Sequence, residues 1–189
     1  NFWLVCLIFP AIFLFQSSPA PVRLAFTLAA LAVFVTVYLW VMWPHPLKSE
    51  VRSRSRLRNS AILVAGLSGL VLALSLAYGP AFLWLFLGVS AIAGVTLPAR
   101  SAFWTIVVLT LVTLGLGLWA SGDLASVDWL HLIPLVLLIR GLGLDMAGLV
   151  RLADALRELH STRQELARQA VVGERLRLAR DLHDLLGHT

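Results

Sequence analysis

The chain of 189 residues has length enough for one or two soluble domains, but 59% of it is hydrophobic and only 13% charged, with a mean hydropathy of +0.88. That balance excludes an ordinary globular enzyme and points to a polytopic membrane protein with a short soluble tail; seven Trp and nine Phe suit the aromatic belts of membrane spans. The formal charge of +5 is not a nucleic-acid signal, because the basic residues cluster beside the apolar runs, and the single Cys6 excludes a disulfide framework and suggests no metal site.

Residues 1–15 read as the remainder of a first span, interrupted by Pro10. The competing reading, a signal peptide, lacks a basic leader and a small-residue cleavage site. A turn-rich loop over 16–21 leads to a second span over 22–43, close to the roughly twenty residues a bilayer core demands. Residues 44–60 carry Lys48, Arg52, Arg54, Arg56 and Arg58 against a single acid, Glu50. The alternating Arg-Ser stretch within them reads as a juxtamembrane run that holds anionic lipid headgroups, rather than as a nucleic-acid patch.

A third span covers 61–78 and ends at the Gly79-Pro80 turn; a fourth covers 81–97 and is closed by Pro98, with Arg100 just beyond. The fifth covers 102–120, and the loop 121–128 holds Asp123 and Asp128 with no base. The sixth runs from 129 to about 149, after which Arg151 opens a charged helix. The chain begins at Asn1 without Met and stops inside a predicted helix at Thr189, so further sequence is expected at both ends.

Loop charges test this layout, because sidedness must alternate. With 44–60 in the cytoplasm, the loops at 16–21, 79–80 and 121–128 fall outside, and none of these three contains Lys or Arg. Arg100 and the tail from Arg151 then fall inside. The expectation is six spans in a bacterial cell membrane with both ends cytoplasmic.

Within the spans, Ala61, Ala65, Gly69, Ala73 and Ala77 place a small residue at every fourth position of the third, a ridge that lets another helix approach closely. Arg140 lies midway along the sixth span with Asp145 five residues on. A charge there is costly and is by default a functional candidate, unless the side chain snorkels to the cytoplasmic surface. His131, near the outer end of that span, reads as an interfacial residue, since no carboxylate or second His clearly pairs with it.

From Leu149 an apolar seam runs through Leu152, Leu156, Leu159, Leu166 and Ala170, with Arg163 as a polar intruder. Steps of three and four are the signature of a two-stranded coiled coil, and one such helix cannot bury its stripe alone. A homodimer follows. Continuing the same heptads would put Gly173, Arg177, Arg180 and Asp184 on the seam, whereas the next apolar strip follows Val172, Leu176, Ala179 and Leu186. The register therefore breaks at about Val171 to Gly173.

The last stretch, from Glu174 to Thr189, is a charged amphipathic helix with Arg177 and Asp181, and Arg180 and Asp184, at i,i+4 spacing on its wet side. His183 stands in its middle with Asp184 directly after it. A carboxylate that orients one ring N–H leaves the other nitrogen free to act as a nucleophile. The pattern Glu-Arg-x-Arg-x-Ala-Arg-Asp-Leu-His-Asp-x-x-Gly-His, residues 174–188, resembles the H-box of sensor histidine kinases of the dimerisation subfamily shared by the nitrate sensors and the thermosensor DesK. The resemblance implies that His183 is the phosphoacceptor, that Asp184 is its general base, and that Asp184 with His188 forms the Asp-x-x-x-Gln/His element that positions water for dephosphorylating the partner. His replaces the commoner Gln at that last position.

The expected fold is all-α: a six-span sensor over 1–149, a coiled-coil signalling linker over 150–172, and from 173 to 189 the first helix of a dimerisation and phosphotransfer four-helix bundle. The resemblance further implies ATP and Mg²⁺ bound by a C-terminal domain outside these residues, without which the fragment is inactive, and a cytoplasmic response regulator as partner. Arg140, Asp145, Arg163 and Gly173 are the signalling candidates. The alternative reading is a six-span transporter or channel subunit with a coiled-coil tail, against which stands the lack of an internal repeat or broken-helix pair.

Overall fold

The computed structural model describes residues 7–17, 21–42 and 54–186, and among them every regular element is helical. The helices are α1 (Ile8–Ser17), α2 (Pro21–Met42), α3 (Arg54–Tyr78), a 3₁₀ segment (Pro80–Trp84) that feeds α4 (Leu85–Thr96), α5 (Ala99–Ser121), a short 3₁₀ turn (Leu124–Ser126) and α6 (Trp129–Leu186). The chain divides into two compact units, Asn1–Gly148 and Leu149–Thr189.

Within the first unit, α2, α5, residues 57–78 of α3 and α6 are long and apolar enough to cross a membrane. Their outer surfaces are as apolar as their packed ones: Phe26, Trp40, Ile62, Trp104, Leu111 and Trp119 are all well exposed. A water-soluble helix would set polar residues there. Several hydroxyls inside the unit satisfy themselves locally, Ser75 apart. Thr27, Ser68 and Thr113 each donate to the carbonyl four residues back at 2.7–2.8 Å, the i−4 bond open to Ser and Thr within a helix.

Three boundaries differ from the hydropathy reading. α3 begins at Arg54, so the end of the basic run is the first turns of the helix rather than loop. Hydropathy marks the apolar stretch, and no Pro or Gly separates Arg54 from Ala61 to stop a helix of good formers. Pro10 does not interrupt α1: it is the third residue of that helix, where its missing N–H has no partner to lose. The opening of the expected first span, residues 1–6, lies outside the described residues.

The third difference is the fourth apolar segment. Pro80–Thr96 is shorter than the others, begins as five residues of 3₁₀ helix, and is the most deeply packed part of the unit. Phe82, Leu85, Phe86, Leu87, Val89 and Ile92 are at most 2% exposed. The 3₁₀ start follows from Gly79-Pro80: Gly79 takes φ +102°, open to glycine, and Pro80 fixes the first helical φ. This segment touches α1, α2, α3 and α5. It is the axis around which the others pack.

α6 joins that axis through glycine. A Cβ on Gly94 of α4 would collide with the Gly143 carbonyl, and one on Gly143 would lie 2.8 Å from the Ile106 side chain. Ile139, Leu142, Gly143 and Ala147 form the buried face of α6 at this level. The small-residue ridge of α3 is not used in this way. Ala61, Ala65, Gly69, Ala73 and Ala77 are exposed, and nothing lies within 4 Å of where a Cβ on Gly69 would stand.

In the second unit, the described residues are a single helix with its apolar seam uncovered. Leu149, Leu152, Leu156, Leu159 and Leu166 are between 48% and 59% exposed among the described residues. The helix is continuous through Val171, Val172 and Gly173. The change of apolar register therefore costs no backbone hydrogen bond.

Candidate functional site

His183 and Asp184 both lie on α6, which is helical to Leu186; consecutive residues on a helix project about 100° apart. Their side chains, and those of the rest of 181–189, lie outside what the structure describes, and His188 falls beyond the described residues altogether. The expected pairing of Arg177 with Asp181 likewise lies outside what the structure describes. Arg177 instead reaches Glu174 at 3.7 Å, with Arg168–Glu165 at 3.9 Å and Arg157–Asp154 at 2.8 Å above it on the helix. All three pairs are i,i+3 and exposed, so they keep the wet face soluble and add little stability.

Of the four signalling candidates, Arg163 is exposed on the tail, and Gly173 is exposed with open space where a Cβ would be. Arg140 and Asp145 are both exposed, and among the described residues neither makes an ion pair. Five residues turn a helix by about 140°, so the two cannot face one another. Arg140 is exposed at the edge of the buried face that includes Gly143 and Ala147. A pathway through the bundle centre therefore has no support from this residue, whereas snorkelling along the outer surface does.

The structure assembles one constellation that the sequence reading passed over. At the end of the first unit where α3 stops and α6 starts, His131 Nδ1 lies 2.6 Å from Asp128 Oδ2. Asp128 precedes α6, and its backbone carbonyl accepts from the N–H groups of His131 and Leu132, at 3.2 and 3.0 Å. The i,i+3 reach from the residue before a helix to its first turn forms the pair. The signal was present as Asp-x-x-His, and the expectation that His131 lacks a carboxylate partner is corrected.

Behind this pair opens a cavity of about 380 Å³ with walls from α1, the 3₁₀ segment, the end of α5 and the start of α6. Phe9 stacks on Trp84, centroids 4.0 Å apart and rings 5° from parallel; Phe13 meets Phe82 edge-on at 6.1 Å. Among the described residues, Asp128 and His131 are its only ionisable lining groups. A smaller cavity of about 70 Å³ shares Pro80, Leu83 and Ala120 with it and is lined by Ser75. Ser75 Oγ is the one buried side-chain oxygen without a hydrogen-bond partner among the described residues.

A second large cavity, about 530 Å³, runs along the small-residue ridge of α3 between Ala61, Gly69, Leu72, Trp104 and Val108. Among the described residues it has no ionisable lining group. Among the described residues no cluster of His, Cys, Asp or Glu could hold a metal ion. Comparison with protein-family models, curated proteins and solved structures gives no match to the chain.

Proposed function

We propose that this chain is the membrane sensor and the start of the phosphotransfer domain of a two-component sensor histidine kinase. The observation that carries the reading is the H-box, residues 174–188, of which 174–186 lie on the same helix that forms the last apolar segment of the first unit. A ring nitrogen of His183 attacks the γ-phosphorus of ATP; the bond to the bridging oxygen breaks and ADP leaves. Asp184 takes the ring proton. The phosphoryl group then passes to an aspartate of a cytoplasmic response regulator, and Asp184 with His188 positions the water that removes it again. The nucleotide and Mg²⁺ are held by a domain C-terminal to Thr189, and the chain acts as a homodimer through the seam from Leu149 to Leu166.

The membrane placement behind this reading is six segments with both termini in the cytoplasm. It is supported by the distribution of charge and Trp. Arg58, Arg100 and Arg151 and the exposed Trp40 and Trp104 belong to one end of the helices; Trp84, Trp119, Trp129, Asp123 and Asp128 belong to the other. Arg23, in the first turn of α2, is the exception to the positive-inside count, and a count of loops alone passes over it. The 3₁₀ start lets Pro80–Thr96 reach further than an α-helix of the same length, about 2.0 Å per residue against 1.5 Å, so a short segment inside the bundle still approaches bilayer thickness.

The test is phosphotransfer. The protein extended through its ATP-binding domain should incorporate acid-labile phosphate from ATP, and His183→Gln should abolish it with dimerisation intact. Undiminished labelling in that variant moves the acceptor elsewhere; labelling of neither protein removes the kinase reading in favour of a transporter or channel subunit.

A further inference from the structure

The cavity behind Asp128 and His131 has the chemistry of a binding site rather than of a packing defect. Its volume, about 380 Å³, falls in the range of small-molecule pockets, and four separate elements wall it. Its walls are apolar and aromatic, while its only ionisable groups among the described residues stand together where α6 begins. We propose that it binds an amphipathic organic cation, with the apolar body against Ile12, Leu132 and Leu135 beside the stacked Phe9–Trp84 pair, and an ammonium head at Asp128.

The sign of the charge follows from the pair itself. With a neutral imidazole donating from Nδ1, the pair carries the full negative charge of Asp128; with a protonated one it is neutral. In neither state is it positive, so an anionic head finds no counter-charge. His131 occupies Oδ2 and leaves Oδ1 available, which suits an ammonium group. The aromatic walls add to the same preference, since ring faces attract cations, and a carboxylate beside such faces is a common way to hold an organic ammonium ion. Asp123, in the loop before Asp128, adds a second negative charge to this end of the bundle, and the loop has no base.

Size limits the apolar body. The cavity admits a ring or a chain of about eight carbons, and the shared walls at Pro80, Leu83 and Ala120 lead on toward Ser75. Both the cavity and its polar pair lie in the first unit, some fifty residues before His183. Binding at this site does not depend on the phosphotransfer reading; only a role as the stimulus site rests on it.

The probe is octyltrimethylammonium, with octyl sulfate as the anionic control. Binding is measured by calorimetry on the whole chain in nanodiscs of neutral lipid, with empty nanodiscs subtracted. One saturable site per protomer is expected for the cation and none for the anion. Asp128→Asn should weaken the cation roughly fivefold, the upper end of the scale of an exposed charge contact, since the aromatic walls are unchanged. Asn starts a helix as well as Asp does, so this variant keeps its fold. His131→Gln should bind at least as well as the parent, because it releases a carboxylate oxygen. Ala120→Trp, at an exposed wall position, should abolish binding by filling the cavity. Equal binding of cation and anion, unchanged affinity in Asp128→Asn, or wild-type affinity in Ala120→Trp each overturns the proposal. His183→Gln should bind the probe as the parent does, so failure of this site and failure of the kinase reading are separate results.

Discussion

Gly94 on α4 and Gly143 on α6 meet backbone to backbone, with the Gly143 carbonyl in the space a Gly94 Cβ would take. This contact draws α6 against the buried axis of the first unit. Gly94→Ala should force the two helices apart or bend one of them, at a cost of about 1–3 kcal/mol, the usual range for overpacking. Gly69→Ala is the matched control, because nothing lies within 4 Å of its Cβ position and alanine is the better helix former. Thermal unfolding in nanodiscs should show Gly94→Ala below the parent and Gly69→Ala at or above it. The same midpoint for both variants would mean that the Gly94 crossing is loose. A lowered midpoint for Gly69→Ala would mean that a second copy packs on the α3 ridge.

Ser75 gives a prediction of opposite sign. Its Oγ is buried without a partner, whereas Ser68 and Thr113, in comparable surroundings, bond to their own helices. Removing an unsatisfied hydroxyl releases its desolvation cost and loses no bond, so Ser75→Ala should be neutral or stabilising by up to about 1 kcal/mol. The backbone bond from Gly79 N–H to the Ser75 carbonyl, 2.9 Å, is kept. A fall of the unfolding midpoint in Ser75→Ala would show that the hydroxyl is bonded in the folded protein.

Much of the fold was legible because a bilayer imposes a length. The apolar runs at 22–43 and 102–120 correspond closely to α2 and α5, each bounded by residues that stop or cap a helix. What was not legible is what hydropathy does not encode. It cannot tell a lipid-facing Leu from one such as Leu87, 1% exposed at the centre, so the special position of Pro80–Thr96 was invisible. Spacing of small residues favoured the α3 ridge, yet the tight crossing falls at Gly94 and Gly143, which only the approach of two distant segments can select. The Asp128–His131 pair was local enough to read, as i,i+3 across a helix start. The aromatic cavity behind it needed four elements brought together. The kinase chemistry stands where the sequence left it, on the motif from Glu174 to His188.

On the proposed phosphotransfer function, two reactions on one helical turn should separate by mutation. Asp184 and His188 are four residues apart, so on a continuing helix they share a face and can both reach a phosphorylated aspartate and its attacking water. Asp184 is also adjacent to His183 and can serve it as base. Asp184→Asn should therefore impair autophosphorylation and dephosphorylation of the response regulator alike, whereas His188→Ala should impair dephosphorylation alone. Both rates can be followed with labelled phosphate in the extended protein. A comparable loss of autophosphorylation in His188→Ala would make that residue structural.

The last prediction concerns how α6 carries a signal. Its apolar seam from Leu149 to Leu166 and its strip from Val172 to Leu186 do not share one heptad frame, although the helix runs unbroken through Gly173. In a dimer, ideal packing of the seam over Leu149 to Leu166 rotates the later strip off the interface, and the reverse, so two packings of similar energy compete. Arg163, an exposed polar residue in the seam, weakens the first of them. Arg163→Leu adds an apolar contact there and should favour the state with that seam paired, raising phosphatase relative to kinase activity. Inserting one residue after Gln169 rotates everything beyond it by about 100° and should disrupt whichever state needs continuity. The kinase-to-phosphatase ratio of both variants, measured with and without octyltrimethylammonium and in bilayers of different thickness, checks this. If Arg163→Leu keeps the parental ratio and the insertion is silent, the change of register is only the ragged end of a coiled coil, and the switch lies elsewhere in the protein.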